Sequence, residues 1–215
     1  MRERLAYLNL NRILPCTLAE GPGRRFCIWV QGCKRHCDGC CNADMLPLEP
    51  RKLVSVADVC RMISEAKEND DIEGITLLGG EPMLQATNLS VVACHAHGLG
   101  LTVLVFTGYT YEECQSGALA GARELLLNTD VLVDGAFIKD RPDKVRNWVG
   151  SANQRFIYLT NAYTKAIETD IHMRNLVEVR MFDGEFFLNG DPHVVSEFMR
   201  TKGMEAGCDE RLNIE

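Results

Sequence analysis

Four cysteines, Cys33, Cys37, Cys40 and Cys41, fall within nine consecutive positions of the stretch "VQGCKRHCDGCCN", which runs from Val30 to Asn42. Thiols this close together serve packing, a disulfide or a metal. Packing is a poor account, because Lys34, Arg35, His36 and Asp38 make the loop polar and leave it little core to fill. A structural zinc ion takes four tetrahedral ligands, normally from two close pairs, and no second C-x2-C pair exists elsewhere in the chain. Cys41 or His36 would have to complete a zinc site, yet Cys41 adjoins Cys40, and neighbouring side chains seldom reach one ion without strain. The spacing C-x3-C-x2-C of Cys33, Cys37 and Cys40 instead supplies three thiolates to a cluster and leaves one iron without a protein ligand. An iron–sulfur cluster is the first reading of the loop and zinc the second.

Composition narrows the setting. A chain of 215 residues with 46% apolar content can fill the core of one domain without staples. The start "MRERLAYLNLNRIL" lacks a secretory signal, and no window approaches the ~18 apolar residues of a membrane span, so a cytoplasmic protein is expected. In a reducing compartment ten cysteines stay as thiols: clustered ones point to a metal, while Cys27 reads as core and Cys60, Cys94 and Cys114 as packing or surface residues. The net charge of −7 gives no electrostatic reason to bind nucleic acid or an anionic membrane, and a protein or small-molecule partner is expected.

The elements that must position the cysteine loop alternate along the chain. "RRFCIWVQG" is a strand stopped by glycine, and "SVADVCRMISEAKEN" is a helix with Val56, Val59, Ile63 and Ala66 on one stripe and a capping box from Ser55 to Asp58. "EGITLLGG" reads as a buried strand, "LSVVACHAHGLG" as a helix, "LTVLVFTG" as a strand, and "TYEECQSGALAGARELLLN" as one helix opening on Thr110 and Glu113. "DVLVDG" and "RFIYLT" are further strands. Repeated βα units with short apolar strands imply a mainly parallel sheet covered by helices. Towards the end, "LVEVRMFDGEFFLNG" reads as a hairpin around Asp183 and Gly184, followed by a short helix from about His193 to Thr201 and a polar tail to Glu215.

The C-x3-C-x2-C loop after a first strand, "GGEP" at Gly79 to Pro82 after a second, and the βα repeat between them resemble the radical S-adenosylmethionine superfamily. Within it, "EGPGRRFCIWVQGCKRHCDGCCN" (Glu20 to Asn42), "FTGYTYEE" (Phe106 to Glu113), "DVLVDGAFI" (Asp130 to Ile138) and "WVGSANQR" (Trp148 to Arg155) are similar to the activating enzymes of glycyl radical enzymes, above all those of anaerobic ribonucleotide reductases. The likeness covers residues 8–160. Two features depart from it: Cys41 stands where an aromatic residue usually follows the third cluster cysteine, and residues 161–215 form an extension.

The resemblance implies an α/β fold in the form of a partial, open βα barrel, with residues 1–160 as the radical core and the cluster loop at 31–42; residues 161–215, read from their own hairpin and helix signals, are expected to form a small α+β extension packed on the same domain. It implies that the open iron chelates the amino and carboxylate groups of S-adenosylmethionine, and that reductive cleavage yields a 5′-deoxyadenosyl radical that takes a hydrogen atom from the substrate. The implied partners are a glycyl radical enzyme and a flavodoxin-like or ferredoxin-like electron donor. Two alternatives stand beside this reading: a stand-alone radical enzyme acting on a peptide or small metabolite, and a non-catalytic metal-binding module.

The cofactor contacts are expected at strand ends. Gly79 and Gly80 let backbone approach a ligand, and with Glu81 they suit the methionyl ammonium group, the plain alternative being a strand-to-helix turn. Asn42, which closes the cysteine loop, belongs to the same expected set. Thr107, with Gly108 and Tyr109, is a candidate for a ribose or adenine contact or else a turn and helix cap. Asp134 and Gly135 end another strand on the same rim, facing the adenosyl group or a partner's backbone unless they form an ordinary Asp-Gly turn. Asn153, Gln154 and Arg155 offer donors to a partner or to solvent.

Overall fold

The computed structural model describes residues 6–173, 177–182, 185–190 and 194. Among these, one sheet holds seven strands: β1 (Tyr7–Thr17), β2 (Arg25–Val30), β3 (Lys52–Ser55), β4 (Gly74–Gly79), β5 (Thr102–Phe106), β6 (Val131–Asp134) and β7 (Arg155–Tyr158), in the spatial order β3-β1-β2-β4-β5-β6-β7. Strands β2, β4, β5 and β6 run parallel, and their apolar sequences follow from burial on both faces. The edges differ from the expectation of a mainly parallel sheet: β1 pairs antiparallel with β2 and β3, and β7 antiparallel with β6.

The helices α1 (Val56–Asp70), α2 (Ala86–Gly98), α3 (Tyr111–Gln115) and α4 (Ala122–Leu127) cover one face of this sheet. Phe26, Ile28 and Val30 of β2 and Ile75 and Leu77 of β4 join Val59 and Ile63 of α1, Leu89 and Val92 of α2 and Leu125 of α4 in one buried cluster. Each such side chain contributes about 1.5–3 kcal/mol on full burial. The expected stripe of Val56, Val59, Ile63 and Ala66 is the buried side of α1, and Ser55 caps it by accepting the Asp58 amide at 3.0 Å. The single helix expected over residues 110–128 is two, because the glycine-bearing segment 117–121 interrupts it and Gly121 lies against the backbone of Thr87 in α2.

Alternate residues Arg25, Cys27, Trp29, Thr76, Leu78 and Leu104 face the other side of the sheet. Near the N-terminal ends of the parallel strands that side is closed. The turn at Gly21 lies on Thr76 and Leu104, and the Arg25 guanidinium is fully buried, donating to Thr76 Oγ1 (3.1 Å), Thr102 Oγ1 (2.7 Å), Tyr163 OH (3.1 Å) and the Ile75 carbonyl. Its hydrogen-bond acceptors among the described residues are neutral, and burial lowers its pKa, with Tyr163, Cys27 and Asp130 opposing the shift. A hairpin of β8 (Val177–Phe182) and β9 (Glu185–Gly190) docks at the same end. Asn189 donates to Thr17 Oγ1 (3.0 Å), Leu18 donates to Glu178 Oε1 (2.7 Å), and Arg180 donates to the Cys16 carbonyl. The expected turn at Asp183 and Gly184, the helix from about His193 to Thr201 apart from Val194, and the tail with Cys208 lie outside the described residues.

Candidate functional site

The cysteine loop leaves β2 at the C-terminal end of the parallel strands, opposite the hairpin. Its two ends are stapled together: the Gly32 amide donates to Met45 O (2.8 Å) and the Cys33 amide to Leu46 O (3.0 Å). Inside the loop His36 adopts a left-handed conformation, with φ of 45°. The Arg35 amide donates to Cys33 Sγ at 3.3 Å, and the His36 amide acts on the same sulfur. Consecutive amides turned towards one atom form an anion-binding nest, a device that recurs at iron–sulfur sites. Cys33 is buried, Cys37 and Cys40 are half-buried, and Cys41 is exposed.

Burial pushes the Cys33 thiol up, against the two amides, and pushes Cys40 up to about 11, with Cys41 as the next contributor and Cys37 and Cys33 as lesser ones. Cys33 and Cys40 are therefore disfavoured as thiolates by burial, and a cation beside them would offset that cost. Among the described residues no three His, Cys, Asp or Glu side chains close around a single ion. A cubane cluster asks for something else, one thiolate at each of three separate irons, and the nest on Cys33 fits such a group.

The rim beside the loop is built from the ends of β4 and β5. A Cβ on Gly79 would lie 2.6 Å from the Val30 amide nitrogen, and one on Gly80 would lie 2.5 Å from the Gly32 carbonyl oxygen. Both glycines are thus required by the protein's own backbone, which passes between β4 and the cysteine loop. Asn42 donates to the Gly79 carbonyl at 3.2 Å, closing the loop onto the strand. Glu81 is buried and caps the 3₁₀ turn Pro82–Gln85: Oε1 accepts from the Met83 amide (2.9 Å) and Thr107 Oγ1 (2.7 Å), and Oε2 from the Gly108 amide (2.8 Å). Burial raises its pKa in spite of these donors. Asn42, Gly79, Gly80, Glu81 and Thr107 therefore lie together at this rim, with the carboxylate of Glu81 and the hydroxyl of Thr107 engaged by each other.

Asp134 stands further along the rim, also buried, and accepts from the Tyr111 amide (2.6 Å) and from Arg155 Nε (2.9 Å) and Nη2 (2.5 Å). Arg155 reaches on to Glu112 at 2.7 Å and holds that carboxyl down at about 2. Of the donors expected to meet a partner, Arg155 is thus committed within the chain, Asn153 donates to the Ala136 carbonyl (2.7 Å), and Gln154 accepts from the Gly150 amide (2.9 Å). The sequence reading missed Arg35, whose guanidinium lies over the Tyr109 ring at 4.7 Å and pairs with Glu113 at 3.5 Å. An arginine in a polar loop carries no signal that separates it from an ordinary solvated charge.

Residues 19–157 match the family described as 4Fe-4S single cluster domain. Over 153 residues the chain is 32% identical to the anaerobic ribonucleoside-triphosphate reductase-activating protein of Enterobacteria phage T4, a match that covers 69% of this chain and 92% of that one. It is 33% identical over 153 residues to the protein of the same name in Vibrio cholerae serotype O1, covering 68% and 96%, and 30% identical over 167 residues to that of Pasteurella multocida, covering 73% and 100%. The chain belongs to the family of anaerobic ribonucleoside-triphosphate reductase-activating proteins. Among the described residues no helix is long and apolar enough to cross a membrane.

Proposed function

We propose that the chain holds one 4Fe–4S cluster on Cys33, Cys37 and Cys40, binds S-adenosylmethionine at the open iron, and generates a glycyl radical on a large partner of the anaerobic ribonucleotide reductase type. When bound, the cluster supplies the electron that breaks the C5′–S bond of S-adenosylmethionine, releasing methionine and a 5′-deoxyadenosyl radical. The observation that carries this reading is the convergence, at one end of the sheet, of three spaced thiols, the Gly79–Glu81 turn and the Thr107–Tyr109 turn. The amides of Arg35 and His36 stabilise the Cys33 thiolate. Asn42 and Glu81 set the relation of loop to strand ends; with the Gly79 carbonyl taken by Asn42 and that of Glu81 by the Leu84 amide, the Gly80 carbonyl is the one of that turn assigned to an ammonium group. A partial, open βα barrel accommodates the parallel centre of the sheet, with helices on one face and the ligand on the other.

The described part of the extension supports a protein substrate over a stand-alone enzyme. Its hairpin docks at residues 16–20, the end of the sheet away from the cysteine loop, and so leaves the cluster rim for a partner to cover. A flavodoxin-like or ferredoxin-like donor and a cytoplasmic setting complete the proposal. Anaerobic incubation with S-adenosylmethionine and dithionite tests it: release of 5′-deoxyadenosine is expected, and a protein that carries the cluster yet never cleaves S-adenosylmethionine, with or without a partner, sinks it.

A further inference from the structure

We infer that Arg35 is a positioning residue that clasps the cysteine loop to the turn after β5, an assignment that rests on the cluster reading above. Arg35 lies between the first two cysteines, and its own amide donates to Cys33 Sγ at 3.3 Å. Its side chain leaves the loop and crosses to the other turn. There Cγ lies against Gly108, where a Cβ would stand 3.0 Å away, the guanidinium covers the Tyr109 ring at 4.7 Å, and Nη1 meets Glu113 Oε1 at 3.5 Å. The second oxygen of Glu113 accepts the Thr110 amide at 2.6 Å, so one carboxylate serves both the cap of α3 and the clasp.

An isolated exposed ion pair holds little, but this one is stacked on an aromatic ring with the arginine side chain only 28% exposed. The turn it grips is fixed in turn to the end of β4, since Glu81 accepts from both Thr107 and Gly108. A ligand sulfur, the turn after β5 and the Gly79–Glu81 turn are therefore joined through two residues, Arg35 by its amide and guanidinium and Glu81 by its carboxylate. Asn42 already ties the loop to the end of β4, and the clasp adds the tie to the turn after β5, which sets the separation for any molecule that spans the open iron and that turn.

The test compares reconstituted wild type, Arg35→Ala, Arg35→Lys and Tyr109→Leu by iron content, amide hydrogen exchange, and titration of the reduced cluster's electron paramagnetic resonance signal with S-adenosylmethionine. Arg35→Ala is expected to keep its iron, to exchange roughly tenfold faster at both 33–41 and 107–110, and to bind S-adenosylmethionine roughly tenfold more weakly. Arg35→Lys, which retains a cation for Glu113 and for the ring, should recover most of that affinity. Tyr109→Leu, which changes a residue outside the cysteine loop, should loosen 33–41 as well. Iron-loaded Arg35→Ala whose exchange at 107–110 matches wild type overturns the clasp alone, and so does Tyr109→Leu with unchanged exchange at 33–41. Wild type that holds no iron–sulfur cluster overturns the cluster reading and the clasp together.

Discussion

Truncating Glu81 exposes how far the site depends on one buried carboxylate. Glu81→Ala strands three donors, the Met83 and Gly108 amides and the Thr107 hydroxyl, which sit at 2.7–2.9 Å from the carboxylate oxygens. Hydrogen bonds to a charged group are worth about 1.5–3 kcal/mol each, and a buried donor without a partner costs about 1–3 kcal/mol. Relief of the carboxylate's own burial offsets part of this, and water can reach the half-buried Gly108 amide, so a net loss of about 3 kcal/mol is expected. With a urea slope of about 2 kcal/mol/M the midpoint falls by about 1.5 M. Glu81→Gln keeps the shape but turns an NH2 group onto at least one N–H donor, and should lose roughly half as much. Anaerobic urea unfolding of the metal-free variants gives both midpoints, and S-adenosylmethionine affinity should fall about tenfold in Glu81→Ala with the cluster retained. An alanine variant whose midpoint stays within about 0.3 M of wild type refutes the reasoning, because the three donors would then need no carboxylate.

The cysteines separate cleanly in the proposed site: Cys33→Ala, Cys37→Ala and Cys40→Ala should each abolish assembly of about four irons and four sulfides per chain, whereas Cys41→Ala, at an exposed position, should retain them by chemical analysis. Glu20 supplies a pH test, since burial lifts its carboxyl from 4.5 to about 7 while Asn189 and Arg12 oppose the shift. A native pKa above the unfolded one means that the folded chain binds the extra proton, so this contribution to stability is complete below about pH 4.5 and is lost as pH rises through 7. Urea midpoints measured from pH 5 to 8 should therefore show Glu20→Gln gaining on wild type as pH rises, and parallel curves would remove Glu20 as the source.

Much of the fold was legible because β2, β4, β5 and β6 are buried on both faces and so read as unbroken apolar runs. Strand β1 escaped: Leu8 and Leu10 alternate with Asn9 and Asn11, but Pro15 and two register shifts, at Leu10 to Arg12 and Leu14 to Thr17, break the period that marks a strand. The four residues of β3 owe their conformation to pairing with β1, a contact far away in sequence. In the site, the cysteine spacing and the "GGEP" turn were legible because local geometry dictates both. What could not be read was the internal demand on polar groups. Thr107 meets Glu81 across 26 positions and Asp134 meets Arg155 across 21, so which side chain is already satisfied depends on how the strands stack.

The central claim, radical transfer to a partner's glycine, is tested most directly by electron paramagnetic resonance on the reduced, cluster-loaded protein mixed anaerobically with S-adenosylmethionine and an anaerobic ribonucleotide reductase encoded beside it. A 5′-deoxyadenosyl radical needs a filled, water-excluded site, and a glycine backbone without a Cβ can approach it closely. The account predicts a persistent carbon-centred signal on the partner, stoichiometric with 5′-deoxyadenosine formed, whose hyperfine splitting collapses when the partner carries α-deuterated glycine. Rapid cleavage driven by a peptide or small metabolite, with no radical on the partner, would contradict it.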